Sequence, residues 1–559
     1  TATGGVNNLQ YLNGATGGVA RSLQSKFGDT VNVLDFGADC TGATDSTTAI
    51  NNALANGGTV YATGGCTFLV NGTVNVPGSA TLVGDGKTTF KRGAANTADL
   101  ISFTGSYGLV RNLVINGNSS ATGFANANVE VRLGNTTSEN HNTLAQCLVE
   151  NSAGYGAVIN AGVYNSVVDN NFVNVYDQAI AVFAPVNQAS NSYIARNLIQ
   201  SIGWGAILVQ SDQGFTVEDN QAIGANIGQP GSRLVVNTSG TSVTWVSGPT
   251  FSTVLPGNFL VINGGQEYRV STVNSSTSIT LATSAGTLTS AQASIGSGDL
   301  MGFIDTSFGR ILNNTVSDSA TFGIGLSMGG LSAAANFNDI SGNRLLRNGK
   351  NAINIANDSG TGTFEGNKVR GNTIIYPGFS GGIGASDQIG IYLQGRIAGT
   401  VVDTLIYDNT AISNYGGDGQ GTYWLGTDTH FNNGAVLLGK NSSLGFSNQG
   451  IFNDVTGITL AAGWGSTASA GSIVSYGDSV QFTVTMGGTG QAVGPQFTIN
   501  KICDTMVPPS QLLGFTTTAS GSNPLAFIWG TQLSTRGSWV GLYNATPTTS
   551  GTVTITIKG

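Results

Sequence analysis

The chain has 559 residues, of which 83 are glycine and only 9% carry a charge, against about 25% in an average protein. At 40% hydrophobic content it is not a disordered chain, and no run of 18 or more apolar residues is present to cross a membrane as a helix. A net charge of −8 argues against nucleic acid as a partner, since phosphate binding needs basic patches.

Residues 1–30 begin TATGG, without methionine, and read as a neck or linker at the start of a fragment. Val31, Val33 and Leu34 predict a strand ahead of Phe36 and Gly37, followed by a turn-rich passage from Cys40 to Thr44. Ala49, Ile50, Ala53 and Leu54 then recur at helical spacing until Gly57-Gly58, with Thr44 or Asp45 placed to accept the free N–H groups of the first turn. A lone amphipathic helix over 45–56, among strands, is read as a cap that covers the open end of a strand stack. Residues 31–100 are thus a cap and first rungs. Cys40, Cys66, Cys147 and Cys503 form no CxxC pair and no Cys/His cluster, so no zinc site is expected. Cys40 and Cys66 could be neighbours, but buried free thiols in a reducing cytoplasm are the favoured expectation.

Over 101–450 a unit of the form apolar–x–x–Asn–x–apolar repeats, as in VVDNNFV, IARNLIQ, VEDNQAI and ISGNRLL. Its asparagines are Asn112, Asn170, Asn197, Asn220, Asn314, Asn343, Asn372 and Asn409, with Cys147 in the same place once. A second short strand follows each unit, for example GAILV, AINIA and GIYLQ. Repeats of 23–37 residues with two or three short strands and no helices between them predict a right-handed parallel β-helix, a solenoid whose turns stack about 4.8 Å apart. Asparagine at a fixed place suits the left-handed turn between strands and lets side-chain amides bond from rung to rung.

One interval, Asn220 to Asn314, spans 94 residues. Residues 230–299 account for it: RLVVNTSGTSVTWVSG, GNFLVING and QEYRVSTVN alternate between turn signals and predict a small antiparallel β module inserted in one rung. Beyond 451 the ladder stops, and VQFTVTM and GTVTITIKG predict a C-terminal antiparallel β-sandwich. The fold class is therefore all-β.

The run from Val31 to Arg92 carries Asp35-Phe36-Gly37-Ala38, Gly42-Ala43-Thr44-Asp45, a short helix, Gly57-Gly58 and Gly84-Asp85-Gly86. That succession resembles the start of the pectate-lyase-like β-helix superfamily. The preceding NLQYLNGATGGVARSLQSKFGDT resembles the neck of bacteriophage tailspikes. The resemblance implies a homotrimer joined by the C-terminal sandwich (451–559) and attached to the virion through an N-terminal domain not in this sequence. It also implies an endoglycosidase acting on a bacterial surface polysaccharide, O-antigen or capsule, at the host cell surface, after folding in the host cytoplasm. No cofactor and no metal are expected. Motifs of the polygalacturonase branch (NTD, adjacent aspartates, Arg–x–Lys) and the calcium-plus-arginine set of the pectate lyases are not found, so no catalytic residue carries over.

Candidate residues come from the second strand of the rungs. Alternation turns Ile207, Val209, Ile353, Ile355, Ile391 and Leu393 inward and leaves Gln210, Asn354, Tyr392, Gln394 and Arg396 outward as a glycan-binding strip, with Trp204 and Trp424 as further sugar platforms. Acids flank the strip at Asp177, Asp212, Asp305, Asp358 and Asp387. Equivalent sites one or two rungs apart lie about 4.8 or 9.6 Å apart. The carboxyl pairs of glycosidases stand about 5–5.5 Å apart for retention and about 6.5–9.5 Å for inversion. Asp305 and Asp358 are the expected acid and base, Asp387 the third; Glu365, Asp339 and Asp403 are held in reserve. A lyase, with Tyr392 as base and Arg396 neutralising a uronate, and a non-catalytic adhesin are the alternatives. His141 and His430 are expected to be structural.

Overall fold

A computed structural model describes residues 9–12, 14, 16–23, 26, 30–122, 129–183, 189–224, 234–263, 266–329, 334–357, 363–376, 389–395, 400–402, 404–412, 423–427, 436–438, 441–444, 449–450, 455–460, 464–477, 479–487, 489, 496–501, 515–519, 527–528, 539–543 and 550–558. The chain divides into two units, Thr1–Ile199 and Gln200–Gly559.

In the first unit three parallel sheets are laid down in turn by successive rungs. One runs through Thr59–Tyr61, Thr81–Val83, Leu109–Arg111, Thr143–Ala145, Ser166–Val168 and Tyr193–Ala195. A second runs through Thr67–Val70, Thr89–Arg92, Val114–Asn116, Leu148–Ser152 and Asn171–Val175. The third runs through Val74–Val76, Ile101–Phe103, Val129–Gly134, Tyr155–Ile159 and Ile180–Phe183. The strands are short because a rung must turn three times, and alternation sends Val, Ile, Leu and Phe to a shared interior. Phe68, Phe90, Phe103 and Phe172 are fully buried there, and Phe68 meets Phe90 edge to face at 5.8 Å.

The predicted helix is present as Thr47–Leu54, with Ile50, Ala53 and Leu54 buried. Two local expectations are corrected. The strand before it is only Val31–Asn32; Val33–Phe36 is a 3-10 turn that the Asn32 side chain caps through the Leu34 N–H at 3.0 Å. The N-cap residue is Ser46, whose hydroxyl is occupied by the Asp39 N–H, so Asp45 serves the Thr47 N–H from one residue earlier at 3.0 Å. Asn51 ties the helix to the first strand of the third sheet, donating to the Thr73 carbonyl and accepting from the Asn75 N–H, both at 2.8 Å. Asp39 gathers the Thr41, Ala43 and Thr44 N–H groups, and Asp85 those of Gly64, Gly65, Lys87 and Thr88. These aspartates, one just after the DFGA run and one within Gly84-Asp85-Gly86, are thus turn anchors. Cys40 and Cys66 form a disulfide across a separation of 26 residues, which overturns the expectation of free thiols there; Cys147 is free and buried.

The second unit repeats the three-sheet plan. Its third sheet runs through Ile207–Gln210, Met301–Ile304, Ile324–Ser327, Ile353–Asn357, Ile389–Gly395 and Tyr423–Thr427. Residues inserted in one rung, between Gln221–Ile223 and Met301–Ile304, form a closed antiparallel barrel of six strands from Leu234 to Gly296, with its own core around Leu260, Val270 and Ile279. The rung resumes as though uninterrupted: the Asn220 N–H donates to the Asn314 Oδ1 at 3.0 Å across 94 residues. Further on, sheets of five and four strands form the C-terminal part, where Ser479–Gly487 and Ser550–Lys558 pair over their whole length.

Corners of the rungs are marked by residues at positive φ. Between the first and second sheets these are Asn112, Gln146, Asp169 and Arg196 in one unit and Asp219, Asn313, Gly342, Gly371 and Asp408 in the other. The laddered asparagines stand one residue later. Asn314, Asn343, Asn372 and Asn409 are buried, and each amide oxygen accepts both the backbone N–H and the Nδ2 of the asparagine before it, at 2.9–3.0 Å, while its own Nδ2 donates to a carbonyl. Asn112 therefore does not belong to the ladder: its register is that of Gln146 and Asp169, while Cys147 does hold the ladder place, its N–H donating to Asn170 Oδ1. A second ladder that the repeat did not reveal, Asn338 to Asn367, precedes the first sheet. Replacing Asn343 with alanine leaves two donors of Asn314 and the Ile311 carbonyl without this partner. Each unsatisfied buried group costs about 1–3 kcal/mol, so thermal unfolding is expected several degrees earlier; an unchanged transition would contradict the role given to the ladder.

Candidate active site on the third sheet

Outward positions of the third sheet in the second unit come into register as Leu208, Gly302, Gly325, Asn354 and Tyr392. Inward positions are filled as the alternation predicts, with Ile207, Val209, Ile353, Ile355, Ile391 and Leu393 buried. Two consecutive rungs thus place glycine at the outward position, and both glycines are buried beneath neighbouring side chains. A Cβ at Gly302 would lie 3.2 Å from the Leu208 side chain, and one at Gly325 would lie 3.4 Å from Asp299 Oδ2.

Asp299 lies beside the second of these glycines. It stands two residues before the strand Met301–Ile304, where the chain returns from the barrel. The Thr321 hydroxyl donates to its Oδ1 at 2.6 Å and the Phe322 N–H at 3.4 Å. These bonds fall on one oxygen, while Oδ2 is the one that faces Gly325. Although part of the residue reaches the surface, protein encloses the carboxyl, and this desolvation, with the charge of Glu267 added, pushes it up to about 6 against the opposing Thr321 bond and Lys350 charge. Glu267 opens the barrel strand Glu267–Ser275 and forms an ion pair with Lys350 Nζ at 3.0 Å; Lys350 also lies 5.9 Å from the Phe322 ring. Asn354 is 6% exposed, with Asn351 Nδ2 3.5 Å from its Oδ1. One carboxyl raised to about 6 and one paired with a lysine therefore lie together beside these glycines.

Of the residues expected from sequence, Asn354 and Tyr392 lie on the strip and Gln210 at its edge, on the strand end level with Ile304. Trp204 is 38% exposed but is committed to the root of the barrel: Arg269 stacks over its ring at 4.7 Å and Phe259 meets it at 5.5 Å. Asp305 is fully buried at a positive-φ corner and accepts the Gly329 N–H at 3.1 Å, so it does not stand outward as an acid. Asp212 and Asp177 are buried too. Asp339 is paired with Arg370 at 2.8 Å on the first sheet, and Glu365 is exposed. Asp358, Asp387, Arg396, Asp403 and His430 lie outside the described residues, as do the side chains of Gln394 and Trp424. Asp299, Glu267 and Lys350 were missed. The available signal was the position of Asp299 at the end of the insertion, where a rung must restart.

Among the described residues no group of three or more His, Cys, Asp or Glu is arranged to hold a metal ion, and no helix is long and apolar enough to cross a membrane. In the first unit an open groove lined by Leu113, Leu148 and Leu198 carries Asp169 and Arg196, but the two form a bidentate pair at 2.7 and 3.0 Å.

Residues 30–254 match the family described as rhamnogalacturonase A/epimerase, pectate lyase-like. No curated protein matches the sequence. Among solved structures, the Dettilon tailspike protein is 14% identical and aligns over 96% of this chain and 96% of its own, with a TM-score of 0.56. The A-module of the Azotobacter vinelandii mannuronan C-5 epimerase AlgE6 is 14% identical over 74% of this chain and 98% of its own, at a TM-score of 0.45. The catalytic unit of a GH87 alpha-1,3-glucanase from Streptomyces thermodiastaticus is 13% identical over 75% of this chain and 69% of its own, at a TM-score of 0.41. The first of these shares the fold.

Proposed function

We propose that this chain, a parallel β-helix of the pectate-lyase-like superfamily with the fold of a phage tailspike, is a tailspike endoglycosidase that hydrolyses a bacterial surface polysaccharide, O-antigen or capsule. The observation that carries the reading is Asp299, a carboxyl raised to about 6 beside Gly325. A raised carboxyl pKa with a second carboxylate close by marks acid–base chemistry.

In this reading Asp299 carries a proton and gives it to the glycosidic oxygen as that bond breaks, and water supplies hydroxide to the anomeric carbon. Glu267, paired with Lys350, is the carboxylate that takes the proton of the water or meets the anomeric carbon directly. Asp358 and Asp387, which flank the same strip in sequence, are the other candidates for that second role. Tyr392, partly exposed in the same outward register, supplies a ring to hold the sugar. The barrel contributes Glu267, so the insertion forms part of the site. Homotrimerisation through the C-terminal sheets and adsorption to the host cell belong to the same proposal. A lyase on this strip would need positive charge against a uronate, and Lys350 is already paired with Glu267, which favours hydrolysis.

The test is digestion of a panel of O-antigens and capsular polysaccharides with mass spectrometry of the products. Fragments heavier by one water per cut are expected. Unsaturated fragments absorbing in the near ultraviolet would replace hydrolysis with elimination and move attention to Tyr392 and Arg396. A bound but uncut glycan would leave an adhesin.

A further inference from the structure

In the first unit the corner before the first sheet is occupied, rung by rung, by Tyr107, His141, Tyr164 and Asn191, all at φ between +56° and +64°. This is the left-handed region that asparagine and glycine enter readily and that bulky side chains avoid. Asn191 shows that the fold accepts an asparagine at this corner. Three neighbouring rungs carry an aromatic ring there instead. The rings stack on one another, Tyr107 on His141 at 4.8 Å and His141 on Tyr164 at 5.0 Å, and they are not tucked inward: Tyr107 is 64% and Tyr164 52% exposed. Their surroundings are hydroxyls and amides. Ser106 Oγ donates to the Ser138 carbonyl and accepts from the Asn140 N–H, and Asn140 Oδ1 accepts from the Val163 N–H. The nearby Glu139 carboxylate is turned back on the Asn135 and Thr136 N–H groups.

We infer that this ladder is a docking strip for an uncharged stretch of carbohydrate chain, separate from the site of Asp299. Two tyrosines held in a conformation that bulky side chains avoid, with their rings in water, spend stability on that display. Ring rims with a polar tip, in a setting of amides and hydroxyls and with no charge turned toward them among these contacts, suit a ligand that offers hydroxyl groups. A stack that climbs one ring per rung suits a linear polymer lying along it. The inference rests on the reading that the protein meets a polysaccharide, and it adds a second point of attachment that raises the effective concentration of the chain. It also replaces the expectation that His141 is merely structural.

The experiment replaces Tyr107, His141 and Tyr164 together with asparagine, the residue at 191, and compares the full chain with and without the replacements. Both carry Asp299→Asn so that the polymer stays intact. The readouts are retardation in native gels containing each purified O-antigen or capsular polysaccharide of the panel, and the melting temperature. The strip predicts retardation weakened by about tenfold in polymer concentration, because the exposed rims and polar tips of three rings no longer meet the sugar, with a melting temperature no lower. Unchanged retardation, retardation by no polymer at all, or a loss that comes with a lower melting temperature would overturn it; the last would mean that the stack holds the fold. Failure of the wild-type protein to cut a polymer that still retards it would sink the hydrolase reading and leave this one standing.

Discussion

Asp299→Asn is expected to lower kcat on the cleaved polysaccharide by about 10²–10⁴-fold, the usual contribution of a positioned proton donor, with little change in KM. The amide keeps the shape of the carboxyl and can still accept the Thr321 hydroxyl and Phe322 N–H on its oxygen. It loses the proton that the mechanism transfers. The fold should not suffer. A carboxyl raised from 3.8 to about 6 binds its proton more tightly in the native than in the unfolded chain. Its contribution to stability is therefore greatest below pH 3.8, is lost as pH rises through about 6, and leaves a penalty above that which asparagine removes. Products quantified by reducing ends, alongside a melting curve at pH 7, separate the two effects. A variant that cuts at the wild-type rate would remove Asp299 from the chemistry.

Breaking the Arg92–Glu130 pair is expected to cost about 3–5 kcal/mol, the largest stability effect of any single replacement considered for this chain. Both side chains are fully buried in the first unit and meet at 3.0 Å. Arg92 also donates to the carbonyls of Asn96, Ala98 and Val129, and Glu130 accepts the Ser152 hydroxyl at 2.8 Å. Burial pushes the Glu130 carboxyl up, and the Arg92 guanidinium and the Ser152 hydroxyl pull against that. Removing either partner strands a charge or a set of carbonyls without solvent. Arg92→Met should bring thermal unfolding down sharply, while Arg92→Met with Glu130→Met should recover a large part of the loss, because replacing a whole buried pair by apolar groups can be nearly neutral. Single and double variants that unfold alike, or a single variant as stable as wild type, would show that the pair does not act as a unit.

How much of this was legible in the letters differs from place to place. The inward set Ile207, Val209, Ile353, Ile355, Ile391 and Leu393 was legible because strand alternation has a period of two and the core is apolar. The barrel was legible because 94 residues cannot fit one rung. Asn112 was misread because two adjacent positions, the positive-φ corner and the buried amide after it, both favour asparagine, and the residue type alone does not separate them. The disulfide was missed because the choice between paired and free thiols rested on the compartment, whereas Cys40 follows one turn and Cys66 another that the fold brings together. Asp305 was misplaced for a similar reason: an aspartate after a strand reads alike whether it points to water or closes a corner. The pairing of Glu267 with Lys350 joins residues 83 apart across the barrel, which periodicity carries no information about.

The most direct test of the account is the pH dependence of kcat on the cleaved polysaccharide, for the wild type and for Lys350→Met. A proton donor at Asp299 predicts a rate that falls as pH rises through about 6. Because the lysine charge holds that carboxyl down, its removal should move the fall to higher pH. A rate that is flat across this range, or a fall that stays in place when Lys350 is replaced, would contradict it.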